Sequence, residues 1–445
     1  GVMKSFRDLI SYLNERERVA CVDREVDPAY ELAAVAKEIC EKTDKAAYFT
    51  HVKGSSFPVV SYVLADREIV ARSLNMEPYR TAHQWSQREE NQSNYTVVQQ
   101  GPVQEVVDLQ PDLRKLPLGI HSVGNNGRYI TGGVVICQNP GGKSQNASFN
   151  RCQYAGPDKL RVRMMPPQHL GLCFDAAEKQ GNDLPCAIVI GAPPSLMYSA
   201  ASKIPFERDE LEFAGALSHC PLDVVKCVTN DVLVPAEAEI VIEGHVCCGL
   251  RESEGPFGEF TDGFVPAMEN HVFHVDAITH RKDAVYHDIY AGGREDLNLL
   301  GLPIEAEIFN HIRKYMPIEQ IKAVAALPFV FGAFISIHKS DEHQAKNILA
   351  SAMTAYAWTK FVVVVDEDVD VYNPNDVLWA IQTRCCPEKD VIILPGVSSY
   401  TREDVKEDNI GKLGIDATAP LHNRMSYTRR KNPFFGKIDL SDYMR

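Results

Sequence analysis

Five short segments hold the side chains best suited to chemistry. In Asn146-Ala147-Ser148-Phe149-Asn150-Arg151, an amide oxygen and a guanidinium lie close together among runs of β character. Pro166-Pro167-Gln168-His169 puts a histidine at the mouth of an expected helix, where Gln168 and His169 stand beside the first free N–H groups. Asp209-Glu210-Leu211-Glu212-Phe213 brings carboxylates to a helix leading into Ala214-Gly215-Ala216. An Asn oxygen, a His nitrogen and a Glu oxygen would suit an octahedral site for a hard divalent ion, with positions left for phosphate or water. The same residue types also fit an ordinary polar surface. Glu254-Gly255-Pro256-Phe257-Gly258-Glu259 is a tight loop with a carboxylate at each end and an aromatic between. Two carboxylates in different surroundings can divide acid and base roles, and an arginine beside one would hold it ionised. In isolation the segment reads more commonly as a solvated turn with charged ends. Gly411-Lys412-Leu413-Gly414-Ile415-Asp416-Ala417-Thr418 offers a lysine in a glycine-flanked loop, a point charge suited to phosphate. Taken alone it reads as an exposed loop lysine.

The elements that must position these groups divide into three parts. Over residues 1–105, Ser5-Phe6 opens a short amphipathic helix, Ala29 to Glu41 has helical spacing, and Pro58 to Val63 reads as a strand. A polar stretch from Gln87 to Asn94 leads toward the first boundary. Residues 106–305 carry short β-rich runs (Gly133 to Cys137, Arg161 to Met165, Ala187 to Ile190, Glu239 to Ile242, His271 to Ala277) broken by Gly and Pro turns. Such spacing suggests a barrel or a strongly curved sheet. Residues 306–445 return to α/β alternation: helices over Ile304 to Tyr315, Glu342 to Lys360 and Pro374 to Arg384, strands over Phe361 to Val365 and Val391 to Leu394. The fold class is therefore mixed α/β.

Composition removes several function classes. The chain has 445 residues, about three times the usual single-domain size. It is 45% hydrophobic and 24% charged, with 46 Lys plus Arg against 60 Asp plus Glu, a net charge of −14. That balance makes a poor binder of nucleic acid or of anionic membrane surfaces. The apolar stretch Ala323 to Ile337 contains Pro328 and Gly332 and falls short of the roughly 20 residues a membrane span needs. The first residues lack a charged-then-apolar layout, and no C-x-x-C occurs among 12 cysteines, so a reducing cytoplasm is expected. Gly141-Gly142-Lys143-Ser144 resembles the end of a phosphate loop, but Cys137 stands where the earlier glycine is required. No G-x-G-x-x-G follows a strand, and H-E-x-x-H and G-x-S-x-G are absent.

Taken together and in order, these segments resemble the UbiD-type decarboxylases. The resemblance rests on N-x-x-x-x-R (Asn146, Arg151), P-Q-H (Gln168, His169), D-E-L-E-F-A-G-A-L (Glu210), V-V-K-C-x-T-N-D (Val224 to Asp231), E-G-P-F-G-E (Glu254, Glu259) and K-x-G-I-D-A-T (Lys412). It spans most of the chain and is densest from Asn146 to Asp262.

The resemblance implies an N-terminal α/β domain, a central split β-barrel that binds flavin, and a C-terminal α/β domain that mediates oligomerisation. It implies prenylated FMN, made by a separate flavin prenyltransferase, together with Mn²⁺ or Mg²⁺ and K⁺. Asn146, His169 and Glu210 then look like the divalent-metal ligands and Lys412 like the phosphate-contacting lysine. Asn146, Ser148, Phe149, Arg151, Gln168, His169 and Pro205 would contact the cofactor, and the Ala201 and Ser202 carbonyls would hold K⁺. Arg151, Glu254 and Glu259 match the catalytic Glu-Arg-Glu network, with Arg151 orienting the substrate carboxylate and Glu259 delivering the proton. The implied reaction is reversible, non-oxidative decarboxylation of an aromatic, heteroaromatic or α,β-unsaturated acid by a homodimer or larger homo-oligomer. The segment His287 to Arg294 follows the motifs and is a candidate pocket lining; Arg294 itself reads more simply as a surface ion-pair partner. Two rivals remain: a split-barrel FMN oxidoreductase, and a subunit of a multi-subunit carboxylase. The first would transfer hydride from NAD(P)H without needing the Glu-Arg-Glu set, and the second would tend to lose one of the two glutamates.

Overall fold

Ser5 starts the first helix, Phe6–Glu15, through a reciprocal cap: its hydroxyl accepts from the Asp8 N–H while the Asp8 carboxylate accepts from the Ser5 N–H. The computed structural model describes residues 2–164, 166–400 and 411–445. A first unit runs to Glu307 and a second begins at Ile308.

In the first unit the helix Glu31–Thr43 packs by the strands Val19–Val22, Ala46–Phe49 and Val59–Ser61. A fourth strand, Tyr286–His287, joins that sheet parallel to Val59–Ser61. It comes from far along the chain and fixes where the segment after His287 begins.

The central sheet runs in the order Tyr129–Ile130, Cys152–Gly156, Lys159–Val162, Met268–His280, Ile240–Glu254, Leu184–Ile190, Gly133–Gln138, Gln145–Phe149. Gln145–Phe149 ends this path at one side, and Cys152–Gly156 lies near its other end. Only Asn150 and Arg151 join them. So short a link between opposite ends requires the sheet to curl around on itself. No ladder joins Tyr129–Ile130 to Gln145–Phe149 among the described residues, so the sheet is curled but open. The long pair Ile240–Glu254 and Met268–His280 supplies part of the bend, through register shifts at Glu243/Gly244 and between Val246 and Arg251. Gly244 is required at the first of these, because a Cβ there would stand 2.0 Å from the His274 carbonyl oxygen.

Apolar side chains from Phe6, Leu9 and Trp85 share one core with Val134, Ile136, Leu211, Phe213 and Ala306. The parts read from sequence as N-terminal and central thus bury a common interior.

Several boundaries differ from the sequence reading. The helix expected over Ile304 to Tyr315 is Arg294–Ile312 and carries Pro303 inside it. The strand expected over Arg161 to Met165 is Lys159–Val162, and Met165 lies outside the described residues. The polar run from Gln87 begins inside the helix Thr81–Glu89. The second helix of the last third stops at Ala355.

The second unit is a five-stranded sheet in the order Ile321–Ala325, Gly332–Ile337, Phe361–Asp366, Lys412–Ala417, Val391–Leu394, with helices Gln344–Ala355 and Pro374–Arg384. Lys412 therefore begins a strand, not a glycine-flanked loop. Its strand pairs in parallel with Phe361–Asp366 and antiparallel with Val391–Leu394, and that pairing buries Lys412, Gly414 and Asp416 together.

Candidate active site

Asp209 ties a helix to an edge strand. One of its carboxylate oxygens caps the helix Glu210–Ser218 by accepting from Leu211 and Glu212 N–H, and the other accepts from Gln145 N–H at 2.8 Å. This sets Glu210, the first helical residue, against Asn146. Glu210 Oε2 accepts from the Ala147 N–H at 3.2 Å, and Oε1 lies 3.9 Å from His169 Nδ1. His169 is the first residue of its helix, His169–Lys179, as its position after Gln168 suggests. Phe206 meets its ring edge-on, with centroids 5.1 Å apart.

Asn146 is completely buried, yet neither its Oδ1 nor its Nδ2 has a hydrogen-bond partner. An unsatisfied buried amide costs about 1–3 kcal/mol, so this one calls for a ligand. An amide oxygen, a carboxylate and an imidazole at this corner fit a hard divalent cation. No group of three His, Cys, Asp or Glu forms such a site among the described residues, so Asn146 is needed as the third donor. Burial pushes the Glu210 carboxyl up to about 7, and a cation bound there would hold it ionised.

The second cluster forms where the curled sheet brings its strands together. Arg151 occupies the short link between Gln145–Phe149 and Cys152–Gly156, and Glu254 ends the strand Ile240–Glu254. Arg151 Nε and Nη2 donate to the two Glu254 oxygens at 2.8 and 3.0 Å. Tyr129 Oη donates to Oε1 at 3.0 Å and Asn270 Nδ2 to Oε2 at 3.1 Å. Glu254 is 0% exposed and so accepts four hydrogen bonds away from water, two of them in a bidentate fork. Below the guanidinium, Phe257 places its ring 4.8 Å from Arg151 Cζ and stacks obliquely on Tyr129. Burial first, then the Glu254 charge, drives the Tyr129 hydroxyl well above its ordinary range.

Glu259 opens the loop of a short hairpin, between the strands Phe257–Gly258 and Phe264–Val265. Its N–H donates to the Gly263 carbonyl, its carbonyl accepts from Asp262 N–H, and its carboxylate accepts from the Thr261 hydroxyl. The side chain is buried. The structure joins Arg151 to Glu254 directly through the bidentate fork.

The remaining sequence candidates are scattered around these two clusters. Gln168 is the exposed residue before the His169 helix, and Pro205 is exposed beside Phe206. Ser148 Oγ donates to Asn150 Oδ1, and Phe149 packs on the core. Ala201 and Ser202 end the helix Pro194–Ala201. Lys412 belongs to the second unit, where its ammonium donates to the Tyr356 and Ala357 carbonyls at 3.2 Å and burial lowers its pKa. Arg294 is exposed and pairs with Asp44 at 2.6 Å, the surface role expected from its type.

Sequence reasoning passed over Tyr129 and Asn270, and noted Phe257 only as the aromatic between the two carboxylates. For Asn270 a signal existed: an amide in a run that becomes a buried strand needs a partner as much as Asn146 does.

Three family descriptions match the chain. Residues 10–89 match the N-terminal domain of 3-octaprenyl-4-hydroxybenzoate carboxy-lyase, 96–294 its Rift-related domain and 297–417 its C-terminal domain, all of UbiD type. The anhydromevalonate phosphate decarboxylase of Methanothermobacter thermautotrophicus is 34% identical over 430 residues, covering 96% of this chain and 99% of its own. Among solved structures, the UbiD-class enzyme HmfF from Pelotomaculum thermopropionicum in complex with FMN is 36% identical. Its TM-score is 0.93, with 99% of this chain and 100% of that one covered. An evolved dimeric form of HmfF in complex with prFMN gives a TM-score of 0.90 at 36% identity, with the same coverage.

Proposed function

The chain belongs to the UbiD family of carboxy-lyases, and from that premise we propose that it removes CO₂ reversibly, without net oxidation, from an acid whose carboxylated carbon is sp². Aromatic, heteroaromatic and α,β-unsaturated acids share that feature, and the similarity to an anhydromevalonate phosphate decarboxylase supports including the last class. The observation that carries the reading is the buried Arg151–Glu254 fork with its two further donors. With Nε and Nη2 committed to Glu254, the remaining edge of the guanidinium is the one a substrate carboxylate would take. Four donors around Glu254 keep that edge aimed.

Loss of CO₂ from an sp² carbon leaves an electron pair that no side chain accepts, and prenylated FMN supplies the electron sink when bound. The chain's own residues do the rest. Arg151 orients the carboxylate, Phe257 and Tyr129 brace Arg151, and Glu259 holds the proton given to the carbon. Asn146, His169 and Glu210 would hold Mn²⁺ or Mg²⁺ at the flavin phosphate. Ser148, Phe149, Gln168 and Pro205 would line the cofactor, with K⁺ on the Ala201 and Ser202 carbonyls. A flavin prenyltransferase would provide the cofactor, and the working form is a homodimer or larger.

The test is CO₂ release from a panel of unsaturated acids by protein from cells co-expressing a flavin prenyltransferase, with the mass of the released flavin measured. Protein carrying only FMN is expected to be inert toward every acid. Decarboxylation by the FMN form, or hydride transfer from a reduced nicotinamide instead, would overturn the reading.

His169→Ala is expected to lose at least roughly 10- to 100-fold in divalent-metal affinity, the range seen even for outer-shell partners, and to purify with little flavin. Elemental analysis at full metal occupancy would reject the assignment of Asn146, His169 and Glu210.

A further inference from the structure

The polar run from Gln87 to Asn94 has no task in the mechanism above, yet it is fastened to the start of the helix that carries Glu210. Arg208, two residues before that helix, donates to the Glu89 and Asn91 carbonyls and pairs with Glu212 at 2.9 Å. Glu212 in turn accepts from the Ser93 N–H at 3.1 Å. The next side chain along, Tyr95, donates its hydroxyl to Asp209 Oδ2 at 2.9 Å. The segment from Glu89 to Tyr95 is thus clasped to the helix start at Arg208, Asp209 and Glu212.

Asp209 is where the clasp reaches the metal corner. Gln145–Phe149 is the last strand on its side of the sheet, so alternate N–H groups point away from its one neighbour. Gln145 and Ala147 carry two of these outward groups. The first donates to Asp209 Oδ2 at 2.8 Å and the second to Glu210 Oε2 at 3.2 Å. Two adjacent carboxylates therefore grip the strand on either side of Asn146, the buried amide without a partner. Without the Gln145 bond the helix would hold the strand at Ala147 only, and Asn146 would be free to turn about that point. The Asp209 carboxylate is itself held at both oxygens, Oδ1 by the Leu211 and Glu212 N–H groups and Oδ2 by the Tyr95 hydroxyl. Its plane is fixed, and Oδ2 stays aimed at the strand.

We propose that Tyr95 and Asp209 are positioning residues for the divalent-metal corner. They hold the alignment that sets the Asn146 amide against Glu210, and the affinity for the ion depends on them. The inference rests on Asn146, His169 and Glu210 being the metal donors. Neither Tyr95 nor Asp209 is a donor itself; both act through Asn146 and Glu210.

Asp209→Asn separates the two duties of the carboxylate. Asparagine caps helices about as well as aspartate, but with its oxygen on the cap it turns an amide N–H toward the Gln145 N–H, donor against donor. Tyr95→Phe keeps the ring and removes only the hydroxyl. The measurement is a Mn²⁺ titration of protein purified with its flavin and stripped of metal by a chelator. The EPR spectrum of the bound ion is recorded at saturation, with the chemical-denaturation midpoint beside it. Asp209→Asn is expected to bind Mn²⁺ at least about tenfold more weakly, the lower end for groups behind metal ligands. Tyr95→Phe should lose about two- to tenfold, the scale of one hydrogen bond. The EPR spectrum of Asp209→Asn should differ from wild type even at saturation, because the donors no longer meet the ion in the same arrangement. Weaker binding with a wild-type spectrum and a matching fall in the denaturation midpoint would show that the pair only stabilises the fold, and would overturn the proposal. Wild-type affinity in both variants would overturn it too, and a loss in Asp209→Asn alone would remove Tyr95 from it. Wild-type protein that binds no Mn²⁺ would instead overturn the metal assignment, and the positioning role with it.

Discussion

A Glu259→Gln variant is expected to purify with its full complement of flavin and divalent metal, yet to turn over at least about a hundredfold more slowly, the usual scale for removing a general acid or base. The local contacts make this substitution a clean one. Glutamine retains an oxygen to accept from the Thr261 hydroxyl, and the loop is also held by backbone bonds to Gly263 and Asp262 that the change does not touch. The side chain is buried, so no water takes its place without a rearrangement. What is lost is the transferable proton. The same variant should fail to exchange the product's ring or vinyl hydrogen with D₂O, since exchange runs the proton delivery backwards. Near wild-type exchange by flavin-loaded Glu259→Gln would show that another group moves the proton, with Glu254 the next candidate.

How far the sequence leads depends on how local the physics is. The helix Pro374–Arg384 is legible because its signals are adjacent: Asn373 caps it and Pro374 occupies the first turn. His169 at a helix start is legible for the same reason. Arg151 and Glu254 can each be named from residue type and motif, but their fork joins positions 103 residues apart and depends on the curl of the central sheet. No periodicity encodes that. Tyr129 and Asn270 reach Glu254 from two further strands, so the same obstacle hid them. The loop reading at Lys412 failed in another way. A strand that buries a lysine and an aspartate at alternate positions does not look like one to a hydrophobicity pattern, because its pairing and not its composition makes it a strand. The strands Ile321–Ala325 and Gly332–Ile337 lay in an apolar stretch weighed only as a membrane span, which concealed the sheet they open.

Glu254→Ala should cost the most stability of any single change at the site, because it removes the acceptor of four hydrogen bonds while leaving their donors in place. Arg151 would keep a mostly buried guanidinium without its counter-charge, and breaking a buried ion pair by deleting one partner typically costs about 3–5 kcal/mol. Tyr129 Oη and Asn270 Nδ2 would also lose their acceptor, at about 1–3 kcal/mol for each group left unsatisfied. These terms share one carboxylate and do not add in full. A loss of at least about 3 kcal/mol in chemical denaturation of the apo protein is the expected result. The double variant Arg151→Met with Glu254→Leu separates the pair's structural cost from its chemical use. With no charge left unpaired it should recover much of the lost stability, since apolar replacements of buried pairs are often neutral or better. It should recover no activity, because the guanidinium that would orient the substrate carboxylate is gone. A double variant as unstable as Glu254→Ala would mean that Tyr129 and Asn270, not the ion pair, set the cost. A double variant that still releases CO₂ would remove Arg151 and Glu254 from the chemistry altogether.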